Sequence, residues 1–135
     1  MIQGALLGYE LDWLAIDRFR HVGWFCTAGG GIAPTDIVER IDTHRHAIES
    51  IKTLAQTTLA AEGPAEDEWR AAAVRGVFVF DSSFNRDPYK RVATPREPLR
   101  IEDLPASLAV ARRIEILCDF REVAIIPTAL IDELG

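Results

Sequence analysis

The sequence is poor in cysteine and lysine, and each shortage excludes a kind of site. Cys26 and Cys118 are the two cysteines, and their wide separation excludes a CxxC redox or zinc motif. We expect both to be free thiols rather than parts of a disulfide framework. Lys52 and Lys90 are the two lysines. Because no lysine follows the glycine triplet at 29–31, a phosphate-binding P-loop is excluded.

Long apolar runs are absent as well. No stretch approaches the roughly 18 apolar residues that a membrane-spanning helix needs. The start, MIQGALLGYELDW, lacks the basic region and the long apolar stretch of a secretory signal. We therefore expect a cytoplasmic protein. The 135 residues, of which 48% are hydrophobic and 27% charged, suit one soluble domain with one core.

Acidic residues outnumber basic ones and give the chain a net charge of −6. Such a surface repels the phosphates of nucleic acids, so we expect no nucleic-acid partner. It suits a basic protein partner, because opposite potentials accelerate encounter. Simple solubility is the alternative reason for the same charge.

Alternation of apolar residues predicts strands that come in pairs. Segments 11–18 and 22–28 are typical of an antiparallel hairpin. Segments 77–80 and 89–94 predict a second hairpin around the turn-rich tip DSSFNRDP. A further strand is predicted at 113–120, where every second residue is apolar.

Apolar residues at steps of three and four predict helices between these strands. The longest covers about 35–56, and a short alanine-rich helix covers 66–75. Another is predicted at 103–112, and a short strand with a helical turn near 127 ends the chain. Because the strands are paired, we predict a single α+β domain over 1–135, with a mainly antiparallel sheet of β-hairpins covered by helices.

The stretch CTAGGGIAPTD, which starts at Cys26, is the first candidate for chemistry. A nucleophilic cysteine needs a helix N-terminus or a base that lowers its pKa, and His21 lies across the hairpin turn. A cysteine in an apolar strand is more often a packed thiol. The glycines Gly29, Gly30 and Gly31 do not match a dinucleotide loop, GxGxxG. We favour a packed thiol and a structural turn, and keep a small enzyme or ligand-binding domain as the alternative.

The sequence DTHRH at 42–46 is the second candidate. Asp42 and His46 share a helical face at i, i+4 spacing and would suit a metal ion. Because no third ligand can be placed near them, we expect a structural Asp–His pair, with no metal and no cofactor.

Acidic and aromatic side chains near the second hairpin form the third candidate, a surface for a protein partner. Singly, the acidic residues are typical of solvated charges. Aromatic residues at hairpin tips, such as Phe19 and Phe84, would be better binding anchors than those on strands. The predicted partner-binding residues are Asp81, Phe84, Asp87, Tyr89, Glu97, Glu102 and Asp103.

Two stretches resemble a loose group of small, mostly uncharacterised bacterial proteins. DWLAIDRFRHVGWFCTAGGGIAP at 12–34 follows the pattern DW-A-D---HV--F-TAG-G--P, and GVFVFDSSFNRDPYKRVATP at 76–95 follows RG-F-FD--F---PY--V--P. The resemblance implies an immunity protein, a cytoplasmic partner that neutralises a polymorphic toxin by direct binding. Its motif contains no catalytic set, so it assigns no catalytic residue.

Three hypotheses follow from the sequence. The first is a non-enzymatic binding protein, an immunity protein with a basic toxin as its partner. The second is the small enzyme or ligand-binding domain that would use Cys26 and the glycine loop. The third is a structural subunit that self-associates through an open sheet edge. For the oligomeric state of the protein we expect either a monomer or a homodimer.

Overall fold

The computed structural model describes residues 11–27, 32–57, 61–62, 67–82, 88–132 and 134. The strands are β1 (Asp12–Asp17), β2 (Val22–Cys26), β3 (Ala61–Glu62), β4 (Phe78–Asp81), β5 (Tyr89–Pro95), β6 (Glu115–Ile116) and β7 (Ile125–Ile126). The α-helices are α1 (Ile41–Ser50), α2 (Asp67–Ala73) and α3 (Thr128–Asp132). Segments of 3₁₀ helix are Thr35–Arg40, Ile51–Thr53, Ile101–Asp103 and Ala106–Arg113.

The strands form a curled mixed sheet in the order β3-β5-β4-β2-β1-β6, and β7 pairs with β5. Both predicted hairpins are confirmed, because β1–β2 and β4–β5 are antiparallel. However, β2 pairs with β4 in parallel, and so does β1 with β6. The α+β class is confirmed, and the prediction of a mainly antiparallel sheet is corrected to a mixed one. The connection from β2 to β4 carries α1 and α2, which gives the chain the length that a parallel crossover needs.

Both faces of the central strands are buried. Leu14 and Ile16 face a cluster that α1, α2 and the 106–113 segment cover. Trp13 and Ala15 face the opposite cluster, which is rich in aromatic rings. Residues that alternate between two buried clusters leave β1 no free face, so β1 is a central element of the fold.

Close ring packing fills the second cluster. Phe25 stacks on Trp13 with ring centroids 4.4 Å apart and on Phe80 with centroids 4.9 Å apart. Gly23 makes room for these rings, because a Cβ at this position would lie 2.9 Å from ring carbons of Phe25 and Phe120. The close packing of these rings therefore requires glycine at position 23 of β2.

Several predicted elements are shorter than expected. The helix predicted over 35–56 is α1 with a 3₁₀ segment at each end. The helix predicted at 103–112 forms as the 3₁₀ segment Ala106–Arg113. Of the strand predicted at 113–120, only β6 pairs, because β1 ends at Asp17 and offers no further partner. The predicted short strand and helical turn at the C-terminal end are confirmed as β7 and α3.

Helix length also bears on membranes. Within the ranges that the structure describes, no helix is both long and apolar enough to cross a bilayer.

Candidate functional site

The predicted partner-binding residues other than Tyr89 divide into three groups. Phe84 and Asp87 lie outside the described residues. Asp81 is half-buried at the end of β4. The remaining acidic residues are exposed: Glu97, Glu102 and Asp103.

Tyr89 lies in the core, and we therefore remove it from the predicted surface. Its side chain is 0% exposed. The hydroxyl donates to the carbonyl oxygen of Ile32 at 2.7 Å and accepts the indole N–H of Trp13 at 3.2 Å. Burial raises the pKa of the Tyr89 hydroxyl. The sequence position beside a turn suggested exposure, but strand β5 turns this ring inward.

Glu102 and Asp103 lie beside the turn between β1 and β2. The backbone N–H of Ile101 donates to the carbonyl oxygen of Arg20 at 2.8 Å. The Arg20 guanidinium forms an ion pair with Glu102. These contacts place the Glu102 side chain on Arg20, the residue that follows Phe19 in the turn, and Asp103 is exposed beside Glu102 in the same 3₁₀ segment. Phe19 is the hairpin-tip aromatic that the sequence also indicated.

Phe19 is held at the surface by the carboxylate of Asp17. Asp17 is fully buried, and its Oδ1 accepts the backbone N–H groups of Phe19 and His21, both at 2.9 Å. Its Oδ2 accepts the N–H of Phe120 at 2.8 Å and lies 3.0 Å from Nδ1 of His21. The Asp17 carboxylate therefore joins the β1–β2 turn to residues 119–120 by hydrogen bonds. Asp17 as the organising residue was missed, although an aspartate two residues before a turn residue is a known turn signal.

Two further side chains complete this surface. Leu117 is 54% exposed; it lies beside the turn because the N–H of Arg18 donates to the carbonyl oxygen of Cys118 at 3.1 Å. The Arg121 guanidinium lies 5.5 Å from the centroid of the Phe19 ring. No local pattern pointed to either residue, since their positions depend on the pairing of β1 with β6.

Asp119 orients Arg121 over the ring. The guanidinium donates to its two carboxylate oxygens at 3.1 and 3.0 Å, and these hydrogen bonds lower the pKa of Asp119. A planar guanidinium held in this way loses less freedom on binding than a mobile one. We call the set Phe19, Glu102, Asp103, Leu117 and Arg121 the Phe19 surface.

This arrangement can bind a protein. Phe19 is 43% exposed and its backbone is fixed, so the ring offers apolar area with little ordering cost. Aromatic and arginine side chains are the usual centres of protein interfaces. Of the carboxylates in this set, Glu102 is paired with Arg20 and Asp103 is exposed, so the surface offers charges of both signs to a partner with complementary groups.

The carboxylates of Asp17 and Asp119 and the ring of His21 also form a cluster with the spacing of metal ligands. One ligand atom from each lies within 4.8 Å of the others. However, every oxygen of Asp17 already accepts hydrogen bonds, and Arg121 occupies both oxygens of Asp119. A metal ion would have to displace these donors, so the cluster fits a structural role better than a metal site.

Cys26 and His21 are too far apart to act together. They lie at opposite ends of β2, which at about 3.3 Å per residue separates them by roughly 16 Å. Burial, and then the negative charges of Asp12 and Asp81, raise the pKa of the Cys26 thiol. The raised pKa disfavours a nucleophilic role. The glycine loop at 29–31 lies outside the described residues.

Helix α1 places the side chains of the DTHRH segment in different environments. Asp42 is exposed and lies 2.5 Å from the guanidinium of Arg45, and His46 is exposed. His44 is fully buried, and its Nδ1 accepts the backbone N–H of Leu14 at 3.0 Å. The predicted Asp42–His46 pair is not among the hydrogen bonds and salt bridges of the described residues, whereas His44 has a structural contact.

Neither a protein-family model, nor a curated protein, nor a solved structure matches this chain.

Proposed function

We propose that this protein is a non-enzymatic binding protein, an immunity protein that neutralises a bacterial toxin by direct contact. The observation that carries the proposal is the exposed Phe19 ring, whose own backbone N–H donates to the buried Asp17 carboxylate. The Asp17 carboxylate serves the fold, but the exposure of the Phe19 ring does not, since folding favours burial of such rings. An exposed aromatic ring on a fixed turn is better explained by binding.

The charge of the chain indicates the kind of toxin that it would fit. The whole chain carries a charge of −6, and Glu102 and Asp103 are exposed on the segment that contacts the β1–β2 turn. A toxin domain with a basic cleft would be attracted to this acidic protein, and the Phe19 ring would enter the cleft and block it.

The enzymatic alternative receives less support from the geometry. The Cys26 thiol is buried with a raised pKa, and His21 instead lies 3.0 Å from Asp17 through its Nδ1. A catalytic cysteine would need an accessible thiol and a base within hydrogen-bond reach.

The test is co-expression with the product of the neighbouring gene in a host that this product kills. We expect the wild-type protein to restore growth and to co-purify with that product. Phe19→Ala should weaken binding by roughly 30-fold or more, as loss of an interface anchor does. Val38→Ala is the matched control, because Val38 is 47% exposed on another element; it should bind as the wild type does.

Two outcomes would contradict the proposal in different ways. If Phe19→Ala folds and binds like Val38→Ala, the Phe19 surface is not the interface. If the neighbouring product is harmless and does not bind, the immunity function itself is wrong.

A further inference from the structure

A groove opens between α1 and α2, at the end of the sheet away from the Phe19 surface. It has a volume of about 310 Å³. A smaller recess of about 50 Å³ adjoins it and shares three of its residues, Ile48, Glu49 and Glu68. The residues that line the groove are Leu11, Asp12, Ile41, Arg45, Ile48, Glu49 and Glu68.

The groove and the Phe19 surface cannot share one small ligand. Asp12 begins β1 and Asp17 ends it, so about 16 Å of strand separates the two places. A contact in the groove is therefore independent of a contact at Phe19.

Apolar side chains line much of the groove and could pack against a hydrocarbon chain. Leu11, Ile41 and Ile48 line the main part, and Trp24 lines the recess. Trp24 is itself fixed, because its indole N–H donates to Oδ2 of Asp12 at 3.0 Å. An aliphatic stem would pack here as the stems of lysine and arginine do on apolar surfaces.

Carboxylates from both helices face this apolar lining. Glu49 on α1 and Glu68 on α2 are exposed, and neither has a salt-bridge partner among the residues that the structure describes. Arg45, the cation of the main groove, is already paired with Asp42 at 2.5 Å. Lys52 is a second cation, and it lines the adjoining recess beside both glutamates. Against Arg45 and Lys52 the two spaces hold three carboxylates, Asp12, Glu49 and Glu68, so the lining keeps a net negative charge that a cationic ligand would balance.

The buried thiol nearby responds to the same negative field. After burial itself, the charges of Asp12, Asp81 and Glu68 raise the pKa of Cys26. Three carboxylates from β1, β4 and α2 thus act on one point beside the groove. This effect agrees with a negatively charged groove, which the acidic residues of its lining already indicate.

We propose that this groove receives a lysine or arginine side chain from a protein partner. The apolar lining would hold the stem of that side chain, and Glu49 and Glu68 would bind its cationic head from opposite walls. A neutral polar side chain would gain the first contact but not the second. The inference is separate from the proposed toxin contact at Phe19.

The indole N–H resonance of Trp24 provides the test, read by NMR on the full chain. The probe is Nα-acetyl-arginine N-methylamide, and the citrulline compound of the same shape is its neutral control. We expect a saturable shift of the Trp24 resonance with the arginine probe alone. The indole N–H of Trp13 should not move, because it is buried on the hydroxyl of Tyr89.

A double variant assigns the binding to the two carboxylates. Glu49→Gln with Glu68→Gln should weaken the apparent Kd for the arginine probe by about tenfold, since two charge-assisted contacts are lost. Glu115→Gln with Glu122→Gln changes the net charge equally at exposed positions elsewhere, and it should bind like the wild type.

The proposal is overturned by any of three results: no saturable shift of Trp24, equal binding of the citrulline compound, or equal loss in both double variants. Because the probe is a small molecule, these results do not depend on whether a toxin exists. A bound probe with no toxin would refute the immunity function and leave the groove assignment standing.

Discussion

His44 makes the stability of this protein depend on pH. The imidazole is fully buried on α1, and its Nδ1 accepts the N–H of Leu14 at 3.0 Å. Its Nε2 has no hydrogen-bond partner among the described residues. Desolvation by burial lowers the pKa of His44 from its ordinary 6.5 to about 4, against the attraction of Asp36. A proton on Nδ1 would also break the hydrogen bond to Leu14, because that nitrogen would become a donor.

The sign and size of the effect follow from proton linkage. Between pH 6.5 and 4 the unfolded chain binds a proton at His44 that the folded chain does not. The free energy of unfolding therefore falls as the pH falls through this window. At about 1.4 kcal/mol per pKa unit, the loss between pH 7.5 and pH 5 is about 2 kcal/mol.

Urea denaturation of the wild type and of His44→Asn at several pH values measures this loss. The asparagine oxygen can still accept the N–H of Leu14, but it does not titrate. The wild type should lose about 2 kcal/mol more than His44→Asn between pH 7.5 and pH 5. His46→Asn is the control on the same helix; His46 is exposed, so this variant should follow the wild type.

One result would refute the reasoning. If the free energies of unfolding of the wild type and His44→Asn run parallel within about 0.5 kcal/mol across this pH range, the buried imidazole titrates with its ordinary pKa. The unpartnered Nε2 would then have no energetic consequence.

Two further predictions concern buried polar groups. Asp17→Asn should lower the free energy of unfolding by about 3 kcal/mol, because an amide N–H would face donors that now bind the carboxylate. Urea denaturation measures this loss. A loss no larger than that of the exposed control Asp103→Asn would contradict the prediction. Cys26 should resist labelling by a thiol reagent at pH 8 until the protein is unfolded, because its thiol is buried with a raised pKa. Cys118, only partly buried with its pKa raised to about 12, should react first, and faster labelling of Cys26 would revive the enzymatic alternative.

The Phe19 surface and the groove are built in different ways. Backbone hydrogen bonds to one buried carboxylate hold Phe19 in place. The groove depends instead on the spacing of two helices, whose side chains Glu49 and Glu68 line it. A partner that uses both would gain from simultaneous contacts, because the second contact forms at high effective concentration.

Local pattern predicted the parts of the fold that local physics decides. Alternation in β1 and β2 predicted the hairpin, since side chains of a strand point to opposite sides in turn. The position of Phe19 at the hairpin tip followed from the same reasoning, and the structure shows that its ring is exposed there. The acidic charge, and the α+β class from paired strands, also needed only the sequence.

Contacts between distant segments decided the rest. The parallel pairing of β2 with β4 depends on how α1 and α2 cover the sheet, which no local pattern encodes. Tyr89 is buried because its hydroxyl reaches Ile32 across the core. Asp17 organises a surface only because Phe120, 103 residues later in the chain, returns to donate to it. The sequence determined which segments form strands and turns, and tertiary packing decided which side chains these segments bring together, because it depends on the whole chain at once.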